Sequence, residues 1–447
     1  MDLQNLATEV ELKMLAQKST GISNGLSFSI SSGTIILRPG TDVNPSRLEF
    51  SPSASVVIPQ ASNLSVSLSS TIDILSADKK VSDTSLYISA DIISGNSETR
   101  KINLLKAERN VLEAQRDLQN GFLSAEKEFY TNLRSLYLAA ASITKAEKDL
   151  YDDQISFDEV KARGFTTSSS RYRAAQMAVL SDEHTIEISR RELEREIKIF
   201  ASKCGVDYNE SYAMDFLPAD IPMVEAVDVL SFESDSYTKT ERALWTRQIN
   251  EMTRSANKSL TLSAGAGFTL SNDYTKSDTI DAGTNLTWNG TGLMFNTVIS
   301  VPVAAQSAMP ALSFGVSVNP NAFRLKSITE RQEDVERRQE EIAIQSARND
   351  YATQVIAQQT SLEDIRWSKD MNTVSYQMYS ELEADNATYY ERGIITESEW
   401  RNSQVNKENY RIQCIINDID LILYNDTTCL LFCRDEELKT ENLKNPF

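Results

Sequence analysis

Apolar residues recur every seven positions from Phe122 through Phe129, Leu136, Ile143 and Leu150 to Phe157. Past Gly164 the interval resumes with Tyr172, Val179, Ile186, Leu193 and Phe200. A side chain every seventh position returns to nearly the same face of an α-helix, so each series draws a narrow apolar seam of the coiled-coil kind. The spacing predicts a long helix over about 98–161 and a shorter one over about 168–203. At 1.5 Å rise per residue the first would reach about 90 Å.

Before residue 98 the period changes from seven to two. Leu64, Val66, Leu68, Ile72 and Ile74 alternate with Ser65, Ser67, Ser69, Thr71 and Asp73, and Leu26, Phe28 and Ile30 alternate with serines. Leu86, Ile88, Ala90 and Ile92 do the same. This is the signature of strands with one apolar face, expected within about 24–94. The same succession returns two hundred residues later. A helix is expected over about 239–256, and strands over about 259–319, where Leu260, Leu262, Ala264, Ala266, Phe268 and Leu270 interleave with Thr, Ser and Gly. Further alternating segments run through Leu286 and Trp288, Phe295 to Val303, and Leu312 to Val318. A long helix over about 325–391 carries Ile328, Val335 and Ile342 at seven-residue steps; a glycine, Gly393, follows, then a helix over about 397–432 with Val405, Ile412 and Ile419. The chain therefore reads as two structural repeats, 1–214 and 238–433. A connector at 215–237, broken by Pro218 and Pro222, joins them, and a charged tail, 434–447, is expected to be disordered.

The two joints are alike. Arg163-Gly164-Phe165-Thr166 and Arg392-Gly393-Ile394-Ile395-Thr396 each set a glycine just past a long helix, where a left-handed residue ends it, followed by Thr and Ser that can cap the next.

Charge and chemistry narrow the classes. The net charge of −19 argues against nucleic acid, whose phosphates need clustered Lys and Arg. No run of about 18 apolar residues exists, which excludes a membrane-spanning helix but not a β-barrel, whose signal is alternation. Cys204, Cys414, Cys429 and Cys433 form no CxxC pair, so the expectation is free thiols, with a disulfide from Cys204 to the C-terminal pair as the alternative. The single histidine, His184, stands alone in a helix. Neither a catalytic constellation nor a metal site nor a cofactor motif is visible, and no enzyme is expected.

Strands that alternate Leu, Val and Ala with Ser, Thr and Gly fit a wall between lipid and a water-filled lumen; they also fit a soluble sandwich. The long paired helices favour the wall, since a sandwich gives them no purpose.

With this order of elements the chain resembles the TolC-type outer-membrane efflux ducts. The resemblance covers nearly the whole chain and rests on the duplicated strand–helix–glycine–helix order, the heptad seams, the Pro-bearing connector and the two joints, Gly164 to Ser170 and Gly393 to Glu399. It implies an α+β membrane protein: a homotrimeric β-barrel in the outer membrane, continuous with a long α-helical coiled-coil tunnel in the periplasm. It also implies a periplasmic adaptor and an inner-membrane pump as partners of a tripartite efflux or type I secretion system. The duct would pass substrates without covalent chemistry. A structural or adhesive surface protein without a pump is the alternative, and a soluble coiled-coil scaffold a third.

The resemblance also places residues. The turns at Gly164 and Gly393 belong at the tunnel entrance. Glu399 matches an acidic position of the constriction, where three copies would form a carboxylate ring favouring cations; Glu397 lies beside it, and Tyr390 matches a latching tyrosine. A second acidic position of the family is Asn402 here, and an arginine expected two residues after the glycine is Ile395, which predicts a different latch. The family uses two spanning strands per repeat, whereas about four alternating segments are visible in each. The expectation is that the inner ones, around 54–74 and 286–303, form extracellular hairpins. Nothing before Met1 matches the leader that precedes the second repeat, which predicts a processed or trimmed first repeat.

Overall fold

The computed structural model describes residues 2–39, 46–73, 75, 81–206, 217–218, 220–257, 260–271, 277–288, 292–303 and 309–434. In chain order these form α1 (Asp2–Ser23), β1 (Ser27–Ser31), β2 (Ile35–Arg38), β3 (Arg47–Phe50), β4 (Ser53–Ile58), β5 (Leu64–Asp73), β6 (Val81–Ile93), α2 (Asn96–Ala162) and α3 (Ser170–Lys203). The second succession is α4 (Thr238–Ala256), β7 (Leu260–Ser271), β8 (Thr279–Trp288), β9 (Leu293–Pro302), β10 (Ala311–Val318), α5 (Pro320–Glu391) and α6 (Glu397–Leu430). The tail beyond Arg434, for which disorder was expected, lies outside the described residues. The chain divides into two compact units, Met1–Leu118 with Lys239–Ala347, and Gln119–Thr238 with Arg348–Phe447.

The first unit holds one antiparallel sheet in the order β1-β4-β5-β6-β7-β8-β9-β10, with β2 and β3 off this path. Its register sorts side chains by polarity. Phe28, Val56, Val66, Ile88, Ala266, Ala282, Ile299 and Leu312 form one unbroken apolar row across all eight strands. One residue along, Ser29, Ser55, Ser67, Tyr87, Gly267, Asp281 and Ser300 point to the other face. A one-residue slip would invert every strand, so the serine–apolar alternation pins the register. Hydroxyl pairs add to it, Ser29 with Ser55 at 2.7 Å and Ser85 with Thr269 at 3.1 Å. Tyr87 lies flat over Gly265 and Gly267, where any Cβ would strike its ring.

No described strand residue is buried: Ile30 is 73% and Leu312 71% exposed. In a sandwich one face of each sheet is covered. Among the described residues the apolar face carries no second layer of the kind a sandwich has.

The inner segments are longer than the sequence suggested. β8 and β9 each run ten residues and pair along their whole length, and β4–β5 and β8–β9 stand within the sheet, between β1 and β6 and between β7 and β10. Alternation around Leu286 is masked because Gly283, Thr284 and Asn285 put small and polar residues on both faces.

Beside the sheet the first unit packs α2 on α4. Ile102 meets Ile249 and Ala256, with Trp245 and Met252 around them. Glu241 in the first turn of α4 joins Arg109 and Arg116 of α2, and Arg254 of α4 bonds Glu340 of α5 at 2.5 Å.

The second unit is helical. Leu136, Ala140 and Ile143 of α2 pack on Leu193 and Ile197 of α3, while Leu133 and Tyr137 on the adjoining stripe pack on Ile412, Ile415, Ile416 and Ile419 of α6. Each buried Leu and Ile among them contributes roughly 1.5–3 kcal/mol. The connector docks as well: Val229 is buried, Phe232 stacks on Phe432 at 4.3 Å, and Tyr237 donates to Asp350 at 2.7 Å. The seam on α5 behaves differently. Ile328, Val335 and Ile342 are 55%, 43% and 68% exposed, and Trp367, Met371, Val374 and Met378 continue as an exposed stripe.

Candidate functional site

Both glycine joints close in the same way. Gly164 has φ +78° and Gly393 φ +72°, left-handed values that side chains resist. Gly164 N–H donates to Lys161 O and Phe165 N–H to Val160 O; Gly393 N–H donates to Tyr390 O and Ile394 N–H to Tyr389 O. These are Schellman ends. Ser169 then caps α3 by accepting from Tyr172 N–H, and Thr396 caps α6 by accepting from Glu399 N–H.

Glu399 completes a capping box. Its Oε2 accepts from Thr396 N–H at 2.8 Å and from the Thr396 hydroxyl at 2.9 Å, and these bonds hold its pKa below the usual carboxylate range. Its side chain is exposed. Glu397 accepts from Tyr151 and from Arg401 Nε at 3.0 Å, which lowers its pKa for the same reason. Tyr390 stacks on Trp400 with ring centroids 5.0 Å apart, and the Trp400 indole donates to Glu383 at 3.3 Å.

Contacts between α2 and α6 here obey no local sequence pattern. Ser398 Oγ donates to Asp152 Oδ1 at 2.5 Å, Lys148 also bonds Asp152, and the Arg401 guanidinium sits 4.1 Å over the Tyr151 ring. Burial pushes the Asp152 pKa up, but Lys148 and Ser398 outweigh it and hold it low. Position 395 is an isoleucine, Ile395, and the cation of this stretch, Arg401, lies one turn into α6, bonded to Glu397. The readable signal was the Glu397–Arg401 pair at i,i+4. Nearby, Asp182 of α3 faces Asp149 and Asp153 of α2; burial first, then their charge, raises its pKa.

Elsewhere in the second unit Asp426 is buried with Oδ2 lacking a hydrogen-bond partner among the described residues. Burial first, then the charge of Glu126, pushes its pKa up to about 6, against Lys127 and Arg434. A raised folded pKa stabilises in acid, and that contribution is lost as pH rises through about 6. Asp426→Asn is therefore expected to be more stable than the wild type at pH 8, by on the order of 2 kcal/mol. Thermal melts at pH 4 and pH 8 check this, and a difference that persists unchanged at pH 4 defeats it.

Among the described residues no group of His, Cys, Asp or Glu could hold a metal ion, His184 is exposed on α3, and Cys204 is exposed and forms no disulfide.

The sequence matches the TP096X N-terminal domain over residues 1–221 and the TP096X C-terminal domain over 222–435, and so nearly end to end. The chain belongs to the TP096X family. No curated protein matches it. Among solved structures this TP096X chain is similar to the outer-membrane channel OprN, at 13% identity and TM-score 0.51 over 95% of this chain and 86% of the other. It also matches the open state of the MtrE outer-membrane channel of Neisseria gonorrhoeae (11%, 0.49, 96% and 86%) and the outer-membrane protein VceC of Vibrio cholerae (10%, 0.47, 96% and 92%). At such identity the likeness to OprN is one of fold. The TP096X chain has the helix-rich fold with an antiparallel sheet of the TolC-type outer-membrane channels.

Proposed function

We propose that this TP096X chain is an outer-membrane duct, a passive conduit of a tripartite efflux or type I secretion system. Three copies close their sheets into one barrel in the outer membrane, and their helices form a periplasmic tunnel that meets an adaptor and an inner-membrane pump. Residues 1–214 and 238–433 are the two repeats of that design. The observation that carries the reading is the sheet with an uncovered apolar face and a serine-rich opposite face, which suits hydrocarbon on one side and water on the other. The open edges at β1 and β10 and the exposed stripe on α5 supply surfaces for neighbouring copies. The reading needs no chemical step, so the duct is not an enzyme.

The turns at Gly164 and Gly393 form the entrance, with Glu399, Glu397 and Tyr390 at the constriction. Glu397 is neutralised by Arg401, which leaves Glu399 as the carboxylate offered to passing ions. In planar bilayers the wild type is expected to conduct with preference for cations, and Glu399→Gln to reduce that preference. A protein that forms no channels sinks the conduit; unchanged selectivity in Glu399→Gln confines that residue to capping its helix.

A further inference from the structure

We propose that the hairpins β4–β5 and β8–β9 are membrane wall, so that eight strands of each chain meet lipid hydrocarbon. This rests on the outer-membrane reading and goes beyond it, because it fixes which strands span.

Register carries the argument. Val66 of β5 and Ala282 of β8 lie on the same cross-strand row as Ile88 of β6 and Ala266 of β7, with no step in between. A hairpin that rose out of the bilayer as an extracellular extension would run past the ends of its neighbours. These hairpins instead separate β1 from β6 and β7 from β10, and no outer strand of one repeat pairs with the other outer strand of that repeat. Removing them from the bilayer would open the sheet between strands, leaving unpaired backbone groups in hydrocarbon.

Height and chemistry agree. On β7 apolar positions run from Leu260 to Leu270, about 34 Å along a strand and about 26 Å along the membrane normal at a tilt of about 40°. That matches the apolar band of an outer-membrane barrel, about 25 Å tall. β5, β8 and β9, at ten residues each, have the length a tilted crossing takes, and β4, at six, is preceded by β3, which pairs with the same strand β5. Trp288 ends β8 on the apolar face, opposite Leu260, where an interfacial aromatic girdle belongs. On the other face of the inserted strands stand Ser67 and Ser300, suited to a wet lumen. Three copies of the eight-strand path would close a barrel of about 24 strands, with a lumen much wider than the two outer strands of each repeat would enclose.

The test uses the full chain with its four cysteines replaced by serine, reconstituted into lipid vesicles. One spin label is placed at a time, through Val66→Cys, Ala282→Cys, Ile88→Cys, Ala266→Cys, Ser67→Cys or Ser300→Cys. Ala282→Cys is nearly isosteric and guards against misfolding, and heat-modifiable mobility on gels reports the fold of each variant. Collisions with oxygen, which concentrates in lipid, are compared with those of a water-soluble nickel chelate. The expected oxygen-to-nickel ratio at Val66→Cys and Ala282→Cys equals that at Ile88→Cys and Ala266→Cys, and is several-fold above Ser67→Cys and Ser300→Cys. Nickel-dominated labels at 66 and 282 beside oxygen-dominated labels at 88 and 266 overturn this inference alone. Nickel-dominated labels at all four positions overturn the outer-membrane reading with it.

Discussion

In the duct proposed above, replacing Asp152 and Arg401 together by alanine is expected to raise the open-to-closed ratio about thirtyfold. The pair is the tie between the last turns of α2 and the first turn of α6, on either side of which the two glycine joints lie. A charge-assisted hydrogen bond such as Ser398 to Asp152 contributes about 1.5 kcal/mol where it is partly wet, and the guanidinium of Arg401 over Tyr151 adds about 0.5. In the duct proposed above this tie would favour the closed arrangement, and removing some 2 kcal/mol at once shifts a two-state equilibrium by roughly thirtyfold. Ser398→Ala, which leaves both charges in place, is expected to shift it less. Single-channel recording at fixed voltage reads the effect. If the double variant folds and its open fraction matches the wild type, the contacts between Tyr151, Asp152, Ser398 and Arg401 hold helices together without gating anything.

That tie was not legible in the sequence, and the reason is physical. Asp152 and Ser398 are 246 positions apart, belong to different helices and obey no local periodicity. Local rules do reach the glycine joints. A glycine after a heptad seam and before Thr and Ser admits few backbone solutions, and the joints show them: left-handed φ, two Schellman bonds and a capped helix start. A third end of the same type, at Gly205, is not marked in the sequence, because Val206, Asp207 and Tyr208 do not repeat the Thr and Ser that follow the other two glycines. The strands were legible wherever serine alternated with large apolar residues. They faded at β8, where Gly283 and Thr284 weaken the contrast between faces. On α5 the seven-residue ladder was visible at Ile328, Val335 and Ile342, yet those side chains are exposed while Ile344 and Ala347 are buried. Periodicity finds an apolar stripe; it does not say whether the stripe is covered by the same chain. For Glu399 the residue was readable and its local role was the one a helix start dictates, a reciprocal cap, whatever else its carboxylate does at a constriction.

Glu241→Ala is expected to cost the first unit about 3–5 kcal/mol, the largest stability loss of any single change at a charged position considered. Glu241 accepts from Arg109 Nη2 at 2.5 Å and from Arg116 Nη1 at 3.1 Å, and Arg109 is 7% exposed beneath Trp245. Without the carboxylate the guanidiniums of Arg109 and Arg116 lose the negative charge between them, and among the described residues Arg109 keeps Glu113 at 3.0 Å. Breaking one member of a buried charge network is costly for that reason, whereas replacing all of it is not. Exchange of Arg109 and Arg116 for methionine together with Glu241 for leucine is therefore expected to recover most of the loss. Acid titration separates the charge from the packing. Burial pushes the Glu241 pKa up, but the two arginines outweigh it and hold it low, so its stabilisation is present at neutral pH and is lost as pH falls through that lowered value. Melting curves of wild type and Glu241→Gln, followed by helical circular dichroism in detergent, should converge in acid and diverge above the ordinary carboxylate range. Parallel curves at every pH would mean that Glu241 acts through its shape and the first turn of α4 alone.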